Sequence, residues 1–180
     1  TPVHVIFLEL IMGPTCSIIY ENEPIEKNAM LQPPRPFTTT FFNLRELTTS
    51  IIQGLVITLG TLTVYQYSIH QMNDENTVRT MVFLALISAN IFLTLVNRSF
   101  YYSVLATSLS NKMVPLIILI TIGITSFILL ASPLRGFFEF EQLIMAQLAF
   151  SIAVGFISVI WFELVKWRAR RNAKTPIIND

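Results

Sequence analysis

Apolar residues in this chain form long blocks rather than the short periodic runs of a water-exposed helix. Five blocks, nearly free of charge, cover residues 3–20, 47–69, 78–97, 113–132 and 142–164. Each approaches the roughly 20 residues that a helix needs to cross the apolar core of a bilayer. A helix on the surface of a soluble protein would show a polar face at every turn, and these blocks do not. The pattern therefore predicts five transmembrane helices.

Composition supports this prediction and limits the number of domains. Of the 180 residues, 53% are hydrophobic and 13% are charged, whereas about 25% are charged in an ordinary soluble domain. The polar segments between the blocks are short, so none of them predicts a separate soluble domain. We therefore predict an all-α, polytopic transmembrane helix bundle that forms a single membrane domain over residues 1–180, with residues 165–180 as its tail.

Basic residues are distributed unevenly between the connecting segments. If the spans alternate in direction, ten of the twelve Lys and Arg residues lie on the side of the tail, and only Arg79 and Arg135 lie on the other side. Because basic residues accumulate in cytoplasmic loops, this bias predicts a cytoplasmic tail and an N-terminal end outside. We interpret the basic tail as this topology signal rather than as a nucleic-acid-binding patch, and we predict no nucleic-acid partner.

Glu9 is the only carboxylate in the hydrocarbon portion of the five predicted spans. A charged side chain there costs ~2.5–3.5 kcal/mol on insertion scales. Gly13 and Pro14 follow one turn later, and because proline lacks an N–H and glycine adds flexibility, the pair predicts locally unwound backbone. Unwound membrane helices supply carbonyl ligands to cations in transporters. We predict a cation or proton site at Glu9 with the hydroxyl of Thr15; the alternative is a protonated Glu9 that hydrogen-bonds a neighbouring helix.

Other polar residues follow helical stripes. Asn90 lies with two further polar residues on one face of the third span, where its amide could join helices or complete the oxygen ligands around Glu9. Small residues in the second and fifth spans predict surfaces for close helix packing; they are Ser50, Gly54, Thr58 and Thr61, and then Gln147, Ser151, Gly155 and Ser158. Glu163 and Lys166 predict a surface ion pair of little energetic weight.

The N-terminal stretch carries a specific combination of motifs. It reads PVHVIFLELIMGPTCSIIYENEP over residues 2–24 and QPPR over residues 32–35. This stretch resembles the sixth transmembrane helix of cation-transporting P-type ATPases, followed by the double-proline arm that leads to the seventh helix. Bacterial members near the calcium-pump branch resemble it most. The resemblance covers the whole chain as helices six to ten of a ten-helix membrane domain.

The resemblance implies roles for individual residues. Glu9 matches an ion-coordinating position of the sixth helix, and Asn90 falls where the eighth helix of calcium pumps has an acidic ligand. Gly13 and Met12 are departures, since they stand where calcium pumps carry a coordinating Asp and Thr. One remaining carboxylate implies one cation or a proton rather than two calcium ions. The implied function is the C-terminal membrane segment of an ATP-driven cation pump, with its ion-binding and translocation helices.

The catalytic parts of such a pump are missing from this sequence. It contains no DKTGT phosphorylation motif and no Gly-rich loop that could cradle phosphates. The resemblance therefore implies that ATP and Mg²⁺ act through the rest of the ATPase chain, which is the expected partner beside the lipid bilayer. The expected substrate is Ca²⁺, H⁺ or another cation, and the expected location is the bacterial inner membrane.

A rival interpretation is a non-enzymatic five-helix membrane protein, such as a secondary-transporter fragment or an accessory subunit. Secondary transporters also place broken helices at the membrane midplane, so the residues alone leave both interpretations open. A DKTGT motif upstream of Thr1 in the full reading frame would favour the pump. A start codon directly before Thr1 would favour the rival.

Overall fold

The computed structural model describes residues 2–24, 44–98 and 111–173, and the regular structure of these residues is helical. The helices are α1 (Pro2–Glu21), α2 (Leu44–His70), α3 (Glu75–Asn97), α4 (Met113–Leu130), the short α5 (Ser132–Phe137) and α6 (Met145–Ala173). Five of them are long and apolar enough to cross a membrane, which confirms the predicted five spans and the all-α fold. Helices satisfy their own backbone polar groups, as a segment inside a bilayer must.

Two segments differ from the sequence prediction. The helix α6 has 29 residues, or ~43 Å at 1.5 Å per residue, so it runs past its predicted end and includes the first part of the predicted tail. The connection before it is not a simple polar turn. It contains α5 and the buried rings of Phe138 and Phe140. The double-proline motif at residues 32–35 and the end of the tail lie outside the described residues.

The third helix lies at the centre of the bundle. It packs mainly against α6 and α2, while α1 packs against α3 and α4. As a result 56% of the α3 span is buried, compared with 11% of the α1 span. The central position of α3 means that the other long helices are arranged around it, and α1 is covered on one side only.

Contacts at the two ends of the bundle show that the helices alternate in direction. At one end, His4 near the start of α1 lies with its Nε2 atom 2.7 Å from the carbonyl oxygen of Phe138, which follows α5. At the other end, Glu23 just after α1 accepts hydrogen bonds from Arg98 just after α3. We call these the His4 end and the Arg98 end.

Aromatic side chains hold the His4 end together. Phe83, Phe138 and Phe140 form a buried cluster, and the imidazole of His4 stacks on the ring of Phe140 with 4.8 Å between centroids. Arg79 at the start of α3 adds ion pairs with Glu75 and Glu139 near the surface. This end is therefore packed largely by apolar and aromatic surface.

The predicted packing face of α6 is confirmed. Ser151, Gly155 and Ser158 are buried, and a Cβ atom built on Gly155 would lie only 2.8 Å from the carbonyl oxygen of Ala85 in α3. The absence of a side chain at Gly155 therefore allows the two helix backbones to approach each other closely.

The predicted packing face of α2 is wrong. Ser50, Gly54 and Thr58 are exposed, and among the side chains of α2 that the structure describes the buried ones are Gln53, Val64 and Ser68. The physical reason is the set of contacts that α2 makes with its neighbours. Gly60 packs against the side chain of Ser158 in α6, and the amide of Gln53 hydrogen-bonds the amide of Asn97 in α3. These contacts turn a different face of α2 toward the bundle.

Candidate functional site

The helix α1 is continuous from Pro2 to Glu21, so the predicted unwinding at Gly13 and Pro14 is wrong. Pro14 removes one backbone hydrogen bond, but hydroxyl side chains can compensate inside a membrane helix. Thr15 does not replace that bond, since its Oγ1 atom donates to the carbonyl oxygens of Ile11 at 2.6 Å and Met12 at 3.0 Å and not to that of Leu10. The surrounding residues nevertheless stay helical. The helix therefore passes through the proline without breaking.

Pro14 nevertheless changes the backbone beside Glu9. In an α-helix the carbonyl oxygen of Leu10 would accept a hydrogen bond from the N–H of residue 14, and proline has no N–H. Leu10 is 68% exposed, and the neighbouring Glu9 is exposed as well. A carboxylate and a carbonyl oxygen without its helical donor thus lie on adjacent residues.

One face of α1 is left uncovered along its length. That face includes the exposed Val5, Ile6, Glu9, Leu10, Gly13, Pro14 and Ser17, whereas His4, Ile11 and Ile19 are buried. Gly13, one turn after Glu9, has open space around it, since a Cβ atom built there would meet no atom within 4 Å. Glu9 therefore lies on an apolar, uncovered face, well inside a helix that is long enough to span a membrane.

The covered face of α1 borders a small cavity between α1, α3 and α4. Its volume is about 30 Å³, and its polar lining includes Thr15, Cys16, Asn90, Thr94 and Thr121. Most of the lining surface is apolar, so this small space is a poor site for ordered water. The cavity and Glu9 lie on different faces of α1.

Two polar contacts cross this cavity. The Nδ2 atom of Asn90 donates to the carbonyl oxygen of Leu86 at 2.9 Å and contacts the Sδ atom of Met12 at 3.0 Å. The Sγ atom of Cys16 lies 3.1 Å from the Oγ1 atom of Thr94. Of the three predicted ligands, the structure thus brings Thr15 and Asn90 to one cavity and places Glu9 on another face of the helix.

A buried ion-pair cluster at the Arg98 end was missed by the sequence reasoning. The side chains of Arg98 and Glu23 are only 1% and 15% exposed. Two atoms of the Arg98 guanidinium, Nε and Nη2, donate to the two carboxylate oxygens of Glu23 at 2.9 and 2.8 Å. Asn111, ahead of α4, donates from Nδ2 to Glu23 at 3.1 Å and to the carbonyl oxygen of Ile19 at 3.2 Å. We call Glu23, Arg98 and Asn111 the Arg98 cluster.

A signal for this cluster was present in the sequence. Glu23 follows the first span and Arg98 follows the third, so alternating spans place these opposite charges on the same side of the membrane. The sequence prediction used Arg98 only to assign the orientation of the spans, so it did not pair Arg98 with Glu23.

Glu163 and Lys166 form a buried pair, so the prediction of a surface pair is wrong. Their side chains are 16% and 3% exposed, with 2.8 Å between Glu163 Oε2 and Lys166 Nζ. The Lys166 ammonium also donates to the carbonyl oxygen of Val96 at 2.8 Å. The last carbonyl groups of a helix lack donors within the helix, so the end of α3 accepts the ammonium as α6 packs against it.

Comparison with known proteins agrees with the resemblance seen in the sequence. Residues 1–168 match the profile of the family described as cation transporting ATPase, C-terminus. The chain belongs to this family. Calcium-transporting ATPase 1 of Schizosaccharomyces pombe is similar to it, with 24% identity over 152 residues. This aligned region covers 83% of the chain but only 17% of that relative, so the chain corresponds to a small part of the relative's length. These matches support a C-terminal membrane segment of a cation pump.

Proposed function

We propose that the pump containing this segment is a P-type ATPase that moves a cation across the membrane, and that Glu9 is a direct ligand of that cation. The observation that carries this proposal is the position of Glu9, on an exposed face of a membrane-spanning helix and beside the carbonyl oxygen of Leu10. ATP hydrolysis with Mg²⁺ belongs, in this proposal, to the remainder of the chain.

The free-energy cost of exposing Glu9 to lipid indicates that another part of the protein covers this face of α1. Charged residues at membrane depth cost free energy when they face lipid, and they almost always face a bundle interior. We therefore infer that helices from the rest of the chain cover the exposed face of α1. Within the described residues no group of three or more His, Cys, Asp or Glu side chains could hold a metal ion, so these helices would supply further ligands.

The ligand chemistry favours a hard cation. Carboxylate and carbonyl oxygens are the groups that such cations prefer. Because Gly13 and Met12 replace the acidic and hydroxyl ligands implied by calcium pumps, we propose one cation or one proton for each cycle through this site. Ca²⁺ is a candidate because the relative from fission yeast is named a calcium transporter.

The sequence also predicts Thr15 and Asn90 as ligands, and the structure suggests how this prediction can be tested. Both residues border the cavity behind α1, so sharing one ion with Glu9 would require α1 to rotate. In the proposed resting arrangement, Glu9 is the direct ligand and Asn90 supports α1 through Met12. Asn90→Leu should then alter cation affinity much less than a change at Glu9.

Replacing Glu9 in the full-length protein tests the central proposal. Glu9→Gln keeps the size and one acceptor oxygen but removes the charge, so the cation concentration for half-maximal ATPase activity should rise about tenfold or more, a change of ~1.4 kcal/mol or more. Membrane insertion should persist, because a neutral amide costs less in the bilayer than a charge.

Glu21→Gln is the matched control. Glu21 is an exposed carboxylate at the end of the same helix, and its replacement should leave the cation dependence unchanged. Wild-type cation dependence in Glu9→Gln would show that Glu9 is not a ligand.

We also propose a bacterial inner membrane location, with the N-terminal end outside and the tail cytoplasmic. The bias of ten basic residues to two supports this orientation. Cysteines introduced at Asp74 and Lys112, both exposed, test it in a Cys16→Ser background. An impermeant thiol reagent added to intact cells should label the cysteine at position 74 and not the one at position 112. Equal labelling, or the reverse pattern, would refute the orientation.

A further inference from the structure

The C-terminal turn of α3 makes polar contacts with several other helices through consecutive residues. The carbonyl oxygen of Val96 accepts a hydrogen bond from Lys166 of α6 at 2.8 Å. The side chain of Asn97 exchanges two hydrogen bonds with Gln53 of α2, at 3.0 and 3.2 Å. The next residue, Arg98, holds Glu23 at the end of α1. The end of α3 is therefore a fixed point to which three helices are tied.

The helix α1 has little buried apolar surface, so such ties matter for its orientation. Only His4, Ile11 and Ile19 are buried along it, so apolar packing constrains its rotation weakly. Sulfur atoms make its polar contacts with α3 in the middle, at Met12 and Cys16. The other polar attachments lie at its two ends, where His4 meets Phe138 and where Glu23 meets Arg98. The Arg98 cluster joins α1 to both α3 and α4, because Asn111 contacts Glu23 and the last turn of α1.

We propose that the Arg98 cluster is a positioning device that fixes the rotation of α1 and thereby the direction in which Glu9 points. The helix end at Glu21, just before Glu23, lies 12 residues from Glu9, or ~18 Å along the helix. Since α1 continues through Pro14 without a break, a turn of its end is passed on to Glu9. This role rests on the proposed function of Glu9 as a cation ligand.

The chemistry of the cluster suits a device that sets an angle. Two parallel hydrogen bonds between a guanidinium and a carboxylate fix the relative orientation of both groups, which a single bond to an ammonium does not. Removing one member of a buried pair leaves an uncompensated charge and destabilises the fold, whereas removing both charges is much less harmful. A variant without either charge can therefore separate positioning from folding.

A three-variant cycle in the full-length protein provides the test. We would measure the thermal midpoint, the half-saturating cation concentration and the maximal ATPase rate for Glu23→Gln, Arg98→Met and the double variant. Each single variant should lower the thermal midpoint. The double variant should recover most of it, yet need roughly threefold to tenfold more cation for half-maximal activity, with a maximal rate close to wild type. Arg98→Lys, which keeps the charge but not the paired bonds, should also shift the cation requirement.

An ion pair at the opposite end serves as the control. Arg79→Met with Glu139→Gln removes a more exposed pair, with side chains 19% and 54% exposed, and it should change neither the cation requirement nor the maximal rate. A wild-type cation requirement in the Glu23→Gln, Arg98→Met double variant would overturn the proposal and leave the cluster with a purely stabilising role.

Glu9→Gln measured in the same preparation distinguishes this failure from a failure of the proposed function. If Glu9→Gln raises the cation requirement and the double variant does not, only the positioning role falls. If neither variant shifts it, Glu9 is not a ligand and both proposals fall.

Discussion

The helices α1 and α3 are both apolar spans with polar residues inside them, but the bundle uses these residues differently. In α3, with 56% of its span buried, Asn97 bonds to Gln53 of α2, and the next residue, Arg98, bonds to Glu23 just after α1. In α1, with 11% of its span buried, Glu9 remains on an exposed face. A polar group joins helices where this chain surrounds it. Where the chain leaves it uncovered, the group is available to a partner from outside.

The difference arises from how closely neighbouring helices approach. Gly155 of α6 brings that backbone against Ala85, Ser88 and Ala89 of α3. Around α1, the cavity of about 30 Å³ and the open space at Gly13 indicate looser contact. We therefore predict that a larger side chain destabilises the contact between α3 and α6 but is tolerated on helix faces that no neighbour covers.

Gly155→Ala should have the largest effect on stability among changes that test this contrast. The new methyl group would lie 2.8 Å from the Ala85 carbonyl oxygen and 2.9 Å from the Ala89 nitrogen, and overpacking of this kind costs about 1–3 kcal/mol. The thermal midpoint of the full-length protein in detergent should fall accordingly.

Gly54→Ala is the matched control, because a Cβ atom there meets nothing within 4 Å. Its midpoint should be unchanged or higher, since alanine is favoured over glycine in a helix by ~1 kcal/mol. Equal losses in the two variants would contradict the difference between the covered and open helix faces.

Pro14→Ala should have a smaller effect on stability. It also tests whether the backbone beside Glu9 takes part in cation binding. The alanine N–H can donate to the carbonyl oxygen of Leu10, so the free energy of unfolding should rise by about 1 kcal/mol. If that carbonyl oxygen is a cation ligand, the half-saturating cation concentration should rise at the same time.

Pro115→Ala in the first turn of α4 is the control for Pro14→Ala. At this position the N–H has no helical partner in any case, so neither stability nor cation affinity should change greatly. Unchanged cation affinity in Pro14→Ala would show that the Leu10 carbonyl oxygen takes no part in binding.

The candidate site was only partly predictable from the sequence. The sequence left open whether Asn90 joins helices or completes the ligands of Glu9, and the structure places its amide against Met12 of α1. The expectation of a break at Gly13 and Pro14 failed because α1 stays helical through Pro14, which removes only one backbone hydrogen bond. Whether the loss of one bond breaks a helix depends on the packing around it, which the order of residues does not specify.

The sequence by itself determined the five spans and the membership of the cation transporting ATPase family. Those features depend on local properties, namely the length of apolar segments and the identity of neighbouring residues. Only the tertiary structure decided that α3 lies at the centre, that α2 turns Gln53 rather than Ser50 inward, and that Arg98 is buried against Glu23. These outcomes depend on which helix faces fit together, because burial and pairing are properties of two surfaces and not of one helix.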